Sequence, residues 1–254
     1  MDRLSNKTIL VAGAGGIGSE LVRRYAAEGA NVVLGDANEK AAETALGGLE
    51  KGSGRVLVTR LDGSDGASID KAVELACTEF GGLDGLHANF ASFADGLLQV
   101  GVLDLPLDIY DEVMRVNARG FLLCTQAALP RILARGGGSI IYTSSGAAHA
   151  PSPVRAPYAM SKAAIHALMR VVATRHGPDN VRANVVAPGV ILHQSLADAT
   201  GEEFRQWALS RTPIKSRLGR PEDIAAMSAL LMSDEGSYIT GQVISVDGGS
   251  SMRP

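Results

Sequence analysis

The sequence has 254 residues, of which 46% are hydrophobic and 20% charged, so it is long enough to bury a large core. Its 24 basic residues nearly balance its 27 acidic residues and are scattered, which leaves no basic patch for a nucleic acid or an anionic membrane. Two cysteines supply neither a disulfide framework nor a zinc site, and no apolar run reaches the roughly 18 residues of a membrane span. We therefore expect a cytoplasmic protein with a small-molecule partner, and no nucleic acid, membrane or metal.

Short runs rich in β-branched residues alternate along the chain with longer segments of helical periodicity. Seven runs are predicted to be strands, at 8–13, 31–36, 55–62, 85–90, 138–145, 182–189 and 242–249. Between them, segments such as 18–30 and 70–82 carry apolar residues at three- and four-residue spacing and end in glycine, as crossover helices do. Because the strand runs are apolar throughout, they suit a parallel sheet that is covered on both faces.

No linker, repeat or low-complexity segment divides the chain, so residues 1–254 are predicted to form one α/β domain. Its fold class is a doubly wound, seven-stranded parallel sheet with helices on both faces. The least regular segment is 190–217, and we expect a mobile lid over a site there.

A glycine-rich turn follows the first predicted strand. In "GAGGIG", Gly13, Gly15 and Gly18 have the spacing G-x-G-x-x-G, which lets the backbone approach a pyrophosphate at a helix N-terminus. Asp36 ends the second strand, where a carboxylate accepts hydrogen bonds from ribose hydroxyls and repels a 2′-phosphate. The next two residues supply no cation, so the pattern favours NAD over NADP. A tight turn without a ligand, and a helix N-cap at Asp36, are the alternative interpretations.

A second motif lies in the middle of the chain. Ser145 closes the fifth predicted strand, and Tyr158 and Lys162 follow within "YAMSK". If Pro157 opens a helix, Tyr158 and Lys162 share one face, and the ammonium is expected to lower the tyrosine pKa from about 10. The phenol could then exchange a proton with an alcohol or carbonyl oxygen that Ser145 also contacts. The alternative is a solvated lysine on a helix that begins with a half-buried tyrosine.

Taken together, these motifs resemble the short-chain dehydrogenase/reductase family, and in particular its 3-oxoacyl-ACP reductase-like members. The resemblance covers essentially the whole chain and also includes "LDGSD", "VNARG", the "SS" before residue 146, "APGVI", "LGRPEDIA" and "ITGQVISVDGG". It implies a Rossmann-type sheet and hydride transfer between C4 of a nicotinamide and a carbonyl or alcohol carbon. It also implies a homotetramer, with long helices at 106–135 and 158–176 as the contact surfaces.

The same resemblance assigns roles to single residues. Tyr158 is implied to be the acid/base, Ser145 to position the substrate oxygen, and Lys162 to lower the tyrosine pKa and hold the nicotinamide ribose. Asn117 is implied to support a water that links Lys162 to solvent. The residues implied to contact the cofactor follow the strand ends: Gly13, Gly15, Gly16, Ile17 and Gly18 at the pyrophosphate, Asp36 at the ribose, Asp62 and Gly63 at the adenine, Asn89 and Ala91 at the adenosine side, and Tyr158, Lys162, Pro188, Gly189 and Ile191 at the nicotinamide end.

Three places depart from the family pattern. The turn "AGAGGIG" is one residue shorter than T-G-x-x-x-G-x-G and begins with Ala12 in place of a hydroxyl residue. Phe90 places a bulky ring in the usual N-N-A-G segment, and His193 replaces the usual threonine. His193 could donate to the cofactor, point into the substrate cleft, or lie exposed at the mouth of a loop.

The leading hypothesis is an NAD(H)-dependent oxidoreductase that acts on a secondary alcohol or ketone of modest size, with an apolar or ring substrate favoured. A cofactor-independent lyase like the halohydrin dehalogenases, and a non-catalytic NAD-binding protein, are the alternatives. Arg155 is expected either to meet a substrate anion or to be a solvated loop cation. The candidates for an apolar substrate wall are Phe93, Leu97, Leu98, Leu192, Leu196, Phe204 and Trp207.

Overall fold

The computed structural model describes residues 2–47, 54–93, 97, 100–150 and 152–252. These residues form one parallel sheet with the strand order β3-β2-β1-β4-β5-β6-β7. Its strands are β1 Thr8–Ala12, β2 Asn31–Asp36, β3 Val56–Arg60, β4 Gly85–Ala88, β5 Gly138–Thr143, β6 Val181–Pro188 and β7 Val243–Val246. The strand order reverses between β1 and β4, which opens a crevice at their carboxyl ends. The predicted seven-stranded parallel sheet is confirmed.

Helices cover both faces of the sheet, as predicted for a doubly wound α/β fold. They are α1 Gly18–Ala27, α2 Glu39–Ala45, α3 Gly66–Phe80, α4 Leu107–Met114, α5 Gly120–Ala134, α6 Ala156–His176, α7 Gln194–Ala199, α8 Glu202–Ser210 and α9 Pro221–Met232. Leu10 and Ala12 of β1 face a core built with α3, α5 and α6, whereas Ile9 and Val11 face a core built with α1, α2 and α9. The strands are apolar throughout because successive side chains enter opposite cores.

Local signals explain where the main helices begin and end. The side chain of Asp65 accepts a hydrogen bond from the Ala67 N–H at the start of α3, and Gly81 ends that helix with φ +80°. Pro157 lies in the first turn of α6, where its missing N–H costs no helical hydrogen bond. Pro157 therefore opens the helix that carries Tyr158, as expected from the sequence.

The long helix predicted over 106–135 is interrupted in the structure. A single π-helical turn, Arg115–Arg119, joins α4 to α5. Such turns are rare and occur often at functional sites. This one contains Asn117, which the sequence motif singled out.

The segment 190–217 is more regular than predicted. It contains α7 and α8, with the His193 side chain capping α7 and two glutamates in the first turn of α8. Both helices are short, so neither repeats an apolar spacing often enough to be read from sequence. No helix in the described part of the chain has the length and apolar character required to cross a bilayer.

Candidate active site

A cavity of about 730 Å³ opens at the carboxyl ends of the central strands. Its volume lies within the range of about 300–1,000 Å³ that is typical of ligand pockets. The residues from the sequence prediction that line it are Gly13, Gly15, Gly16, Ile17, Asp36, Asp62, Gly63, Asn89, Ala91, Ser145, Tyr158, Lys162, Pro188, Gly189 and Ile191. Gly18 and Asn117 lie behind its wall, and both are buried. The two predicted motifs thus meet in one cavity.

The glycine-rich turn adopts a conformation that requires glycine. Gly13 has φ +101° and Gly15 has φ +34°, which side chains other than hydrogen rarely allow. A Cβ at Gly13 would lie 2.6 Å from the backbone nitrogen of Phe90, and a Cβ at Gly18 would overlap the carbonyl oxygen of Gly13. The turn therefore packs tightly against the segment that follows β4 and against its own helix, whereas a Cβ at Gly15 would meet no described atom within 4 Å.

Asp36 holds this turn to the end of β2. Its carboxylate accepts one hydrogen bond from the Ala14 N–H at 2.7 Å and another from the Asn38 N–H at 2.9 Å. The N-cap of α2 is Asn38, whose side chain accepts from the Ala41 N–H. The helix N-cap interpretation of Asp36 is therefore wrong, and its carboxylate lies instead at the cavity wall.

Asn89 fixes the other side of the turn through a buried chain of hydrogen bonds. Its amide donates to the Gly13 carbonyl at 3.1 Å, and its carbonyl accepts from the Thr143 hydroxyl at 2.9 Å. His87 Nε2 lies 2.9 Å from the same hydroxyl, and its Nδ1 lies 2.8 Å from the Tyr25 hydroxyl. Since the Thr143 proton goes to Asn89, Nε2 carries the proton of the imidazole and Nδ1 accepts from Tyr25. Burial lowers the pKa of His87 to about 3, so the ring is neutral.

Neither His87 nor Thr143 was singled out in the sequence. Both lie within apolar strand runs, and their pairing depends on sheet register. The parallel register places His87 beside Val11 of β1 and Ile141 of β5. Register between strands that are distant in the chain is the information that one sequence does not supply.

Asn117 contacts the loop after β4. Its side-chain oxygen accepts from the Ser92 N–H at 2.6 Å, and its side-chain nitrogen donates to the Ser92 carbonyl at 3.1 Å. Both polar atoms of the side chain are therefore engaged with backbone that borders the cavity. The relay of Lys162 to solvent stays a prediction.

Tyr158, Ser145 and Lys162 lie together at the cavity wall. Tyr158 is 9% exposed, and Ser145 lies within hydrogen-bonding reach of its hydroxyl. Lys162 is 1% exposed; its Nζ donates to the Thr143 carbonyl at 3.0 Å and lies 5.7 Å from the centre of the Tyr158 ring. The predicted common face of α6 is thus present, and burial lowers the pKa of Lys162 to about 7.

The tyrosine pKa moves in the direction opposite to the one expected from sequence. Burial raises the pKa of Tyr158, and this effect outweighs the hydrogen bond from Ser145 and the charge of Arg155, which both lower it. The spacing of Tyr158 and Lys162 predicted the pair but not the desolvation of the phenol. In this structure Tyr158 is a protonated phenol at neutral pH.

An apolar wall adjoins Tyr158. The ring of Phe93 is 59% exposed and stacks on the Tyr158 ring at 5.1 Å between centroids. Leu196 and Phe204 also line the cavity, whereas Leu97 is buried behind Tyr158. The other three candidates differ: Leu192 lines a neighbouring hollow, Trp207 is exposed outside the cavity lining, and Leu98 lies outside the described residues.

The rings of Phe90 and His193 each pack against a glycine that leaves space for them, Gly63 and Gly16 respectively. The Phe90 ring packs edge-on against Phe121 at 4.9 Å, and a Cβ at Gly63 would lie 2.5 Å from it. The His193 ring lies against Gly16, and its Nδ1 accepts from the Leu196 N–H at 3.3 Å. His193 is thus a half-buried cap of α7 that packs on the turn, and burial lowers its pKa.

Metal-binding groups are not clustered in the part of the chain that the structure describes. No three His, Cys, Asp or Glu side chains among those residues lie close enough to hold a metal ion.

Known proteins resemble the chain over almost its full length. The family model described as Enoyl-(Acyl carrier protein) reductase matches residues 11–251. A probable short-chain type dehydrogenase/reductase of Bradyrhizobium diazoefficiens is 38% identical over 98% of this chain and 89% of its own. The 3-oxoacyl-[acyl-carrier-protein] reductase of Thermotoga maritima is 34% identical over 97% of this chain and 98% of its own. The solved short-chain dehydrogenase/reductase of Serratia marcescens superposes with a TM-score of 0.89 at 34% identity, covering 98% of this chain and 100% of its own.

Proposed function

This chain belongs to the short-chain dehydrogenase/reductase family of oxidoreductases, which bind a nicotinamide cofactor and act on small molecules, and we propose that it transfers hydride between NAD(H) and a secondary alcohol or ketone. The observation that carries this proposal is that Tyr158, Ser145 and Lys162 share one cavity with the glycine-rich turn and Asp36. A phenol, a hydroxyl and an ammonium serve proton transfer to oxygen, while the turn and the carboxylate serve a dinucleotide.

The residues present fit a dinucleotide. The backbone cradle at Gly13 and Gly15, with the His193 ring beside it at Gly16, suits a pyrophosphate, and the Asp36 carboxylate suits ribose hydroxyls. Asp62 accepts two hydrogen bonds from Ser64, which lower its pKa and keep it charged at the adenine side. Pro188, Gly189, Ile191 and Lys162 would hold the nicotinamide end.

When bound, the nicotinamide supplies or accepts the hydride. The chain's own residues bind and protonate the oxygen of the substrate. Ser145 holds that oxygen, and the Tyr158 hydroxyl donates a proton to it as a carbonyl is reduced. The raised pKa of Tyr158 keeps the phenol protonated at neutral pH, which suits an acid. The phenolate left behind is stabilised by the charges of Arg155 and of protonated Lys162.

Replacement of the phenol tests this role. We expect Tyr158→Phe to lower kcat for ketone reduction roughly 10²–10⁴-fold, because the variant keeps the ring but loses the proton donor. NADH affinity should change little, since the ring still stacks on Phe93. Tyr238→Phe is the matched control, because that tyrosine is fully exposed. Full turnover by the Tyr158→Phe protein would rule out the proposed role.

The preference for NAD is tested by fluorescence titration with NADH and NADPH at physiological salt. We expect tight NADH binding and weak NADPH binding, because the Asp36 carboxylate repels a 2′-phosphate. Asp36→Asn should reduce the ratio of the NADPH Kd to the NADH Kd by about 10- to 100-fold. Asp70→Asn, which changes an exposed carboxylate on α3, should leave this ratio unchanged. Binding of neither nucleotide would instead favour the lyase like the halohydrin dehalogenases, whereas NADH binding without turnover of any alcohol or ketone would favour the non-catalytic NAD-binding protein.

We further propose that residues 1–254 act as one domain in which 190–217 is the substrate lid, because Leu196 and Phe204 from its two helices line the cavity. A homotetramer and a cytoplasmic location are proposed with it. The helices predicted as contact surfaces carry exposed apolar side chains, Leu122 on α5 and Met160 and Val171 on α6. The molar mass in solution, measured by light scattering, decides the oligomeric state.

A further inference from the structure

We propose that Arg155 forms an anion subsite at the substrate end of the cavity, so that the preferred substrate is an alcohol or ketone with an apolar body and a nearby carboxylate. This inference rests on the proposed function and specifies the substrate class of the same site.

The charges in the cavity are unevenly distributed. Asp36 and Asp62 lie at the adenosine end, and Glu112 forms an ion pair with Arg115 at 2.6 Å. Arg155 lines the cavity beside Tyr158, and its side chain has no ion pair or hydrogen bond with any residue that the structure describes. Because Arg155 is half-buried and no described acidic side chain pairs with it, this position is suited to a ligand that brings an anion.

Arg155 lies close enough to Tyr158 for its charge to act on the phenol. It is the N-cap of α6, three residues before Tyr158, and its charge acts on the Tyr158 phenol. An anion there would also face the N-terminus of a helix of 21 residues, whose dipole favours negative charge. The backbone of Arg155 has φ +66° and ψ 32°, a conformation that glycine or asparagine adopts more readily. Such an outlier at a cavity wall is typical of a functional position.

The rest of this wall is apolar. The exposed face of Phe93, together with Leu196 and Phe204, borders the same space as Arg155 and Tyr158. A substrate ring or branched chain that packs on Phe93 would place a carboxylate, but not a second apolar group, at the guanidinium. The wall therefore selects an amphiphilic hydroxy or oxo acid rather than a simple ketone.

Binding of inert analogues to the full chain in the presence of NADH tests the subsite without turnover. We expect 3-phenylpropanoate to bind at least about 10-fold more tightly than 3-phenylpropanamide, since hydrogen bonds between charged groups are the stronger ones. Arg155→Gln should abolish this preference, and Arg155→Lys should restore part of it. Arg170→Gln is the matched control, because it removes the same charge from an exposed position on α6. Equal binding of acid and amide by the wild-type protein would overturn the inference.

Turnover separates this inference from the proposed function. With NAD as oxidant, mandelate and 3-hydroxy-3-phenylpropanoate are compared with their methyl esters and with 1-phenylethanol. We expect Arg155→Gln to raise KM for at least one acid about 10- to 100-fold more than KM for its methyl ester, whereas any effect through Tyr158 is shared by acids and esters. An equal loss of kcat/KM for acids, esters and 1-phenylethanol would mean that Arg155 acts only through Tyr158, and would overturn the subsite. If the acid preference in binding is present but no alcohol is oxidised, the subsite stands and the proposed reaction fails.

Discussion

The neutral, buried imidazole of His87 makes the stability of this protein depend on pH in a way that can be isolated. His87 is fully buried between the Tyr25 and Thr143 hydroxyls, and burial lowers its pKa from 6.5 to about 3. Between these two values the unfolded chain binds a proton that the folded chain does not. The free energy of unfolding therefore rises with pH in this window. The contribution of the neutral His87 imidazole to stability is fully present above about pH 6.5 and is lost as the pH falls toward about 3.

The magnitude follows from the same two values. Each pH unit within the window corresponds to about 1.4 kcal/mol, so lowering the pH from 7.5 to 5 should cost the folded state about 2 kcal/mol through His87 alone. In His87→Gln this contribution disappears. At pH 7.5 the variant should be less stable by about 1–3 kcal/mol, because an amide cannot reproduce both hydrogen bonds of the ring. At pH 5 the difference should shrink by about 2 kcal/mol.

Equilibrium urea unfolding at pH 7.5, 6.5 and 5.0, at one fixed protein concentration, measures this difference. All ionisable groups other than His87 are the same in both proteins, so their effects cancel in the comparison. If the free energies of unfolding of the wild-type protein and of His87→Gln change equally with pH, the conclusion that the His87 imidazole is neutral and desolvated is refuted. A double-mutant cycle with Tyr25→Phe adds a second check: because the two side chains share a hydrogen bond, their effects should not be additive.

Two further predictions concern packing and reactivity. Gly63→Ala places a Cβ 2.5 Å from the Phe90 ring, so it should lower the free energy of unfolding in urea by about 1–3 kcal/mol. The loss should be smaller in a Phe90→Ala background, because the ring is then absent. Equal losses in both backgrounds would contradict this packing. Burial raises the pKa of Cys124 to about 12, so this thiol is not ionised at neutral pH and should not react with a disulfide reagent in the folded protein. The reagent should label at most the half-buried Cys77. The Cys77→Ser variant should therefore show no reactive thiol until urea is added.

The sheet was predictable because its signals are local. Each predicted strand run overlaps an observed strand, since unbroken apolar runs bounded by glycine or polar residues are what a doubly covered parallel strand requires. The helices α1 and α3 were predictable because their apolar spacing continues over several turns. The six residues of α7 repeat no pattern, so only the structure reveals that helix.

The candidate site was predictable as a set of residues but not as an electrostatic environment. The spacing of Tyr158 and Lys162 placed both on one face of α6. It did not reveal that Lys162 donates to the Thr143 carbonyl, or that burial raises the pKa of the phenol. Desolvation depends on what the other strands and loops place over a side chain. That is a property of tertiary packing, and a five-residue motif carries no information about it.

The three departures from the family pattern are best understood as one packing arrangement. The shortened turn is held from two sides, by Asp36, which accepts from a backbone N–H of the turn, and by the segment after β4, where the Phe90 backbone lies against Gly13. On the lid side, the His193 ring packs on Gly16. The turn and the lid are therefore in direct contact at Gly16 and His193, and both line the open cavity beside them.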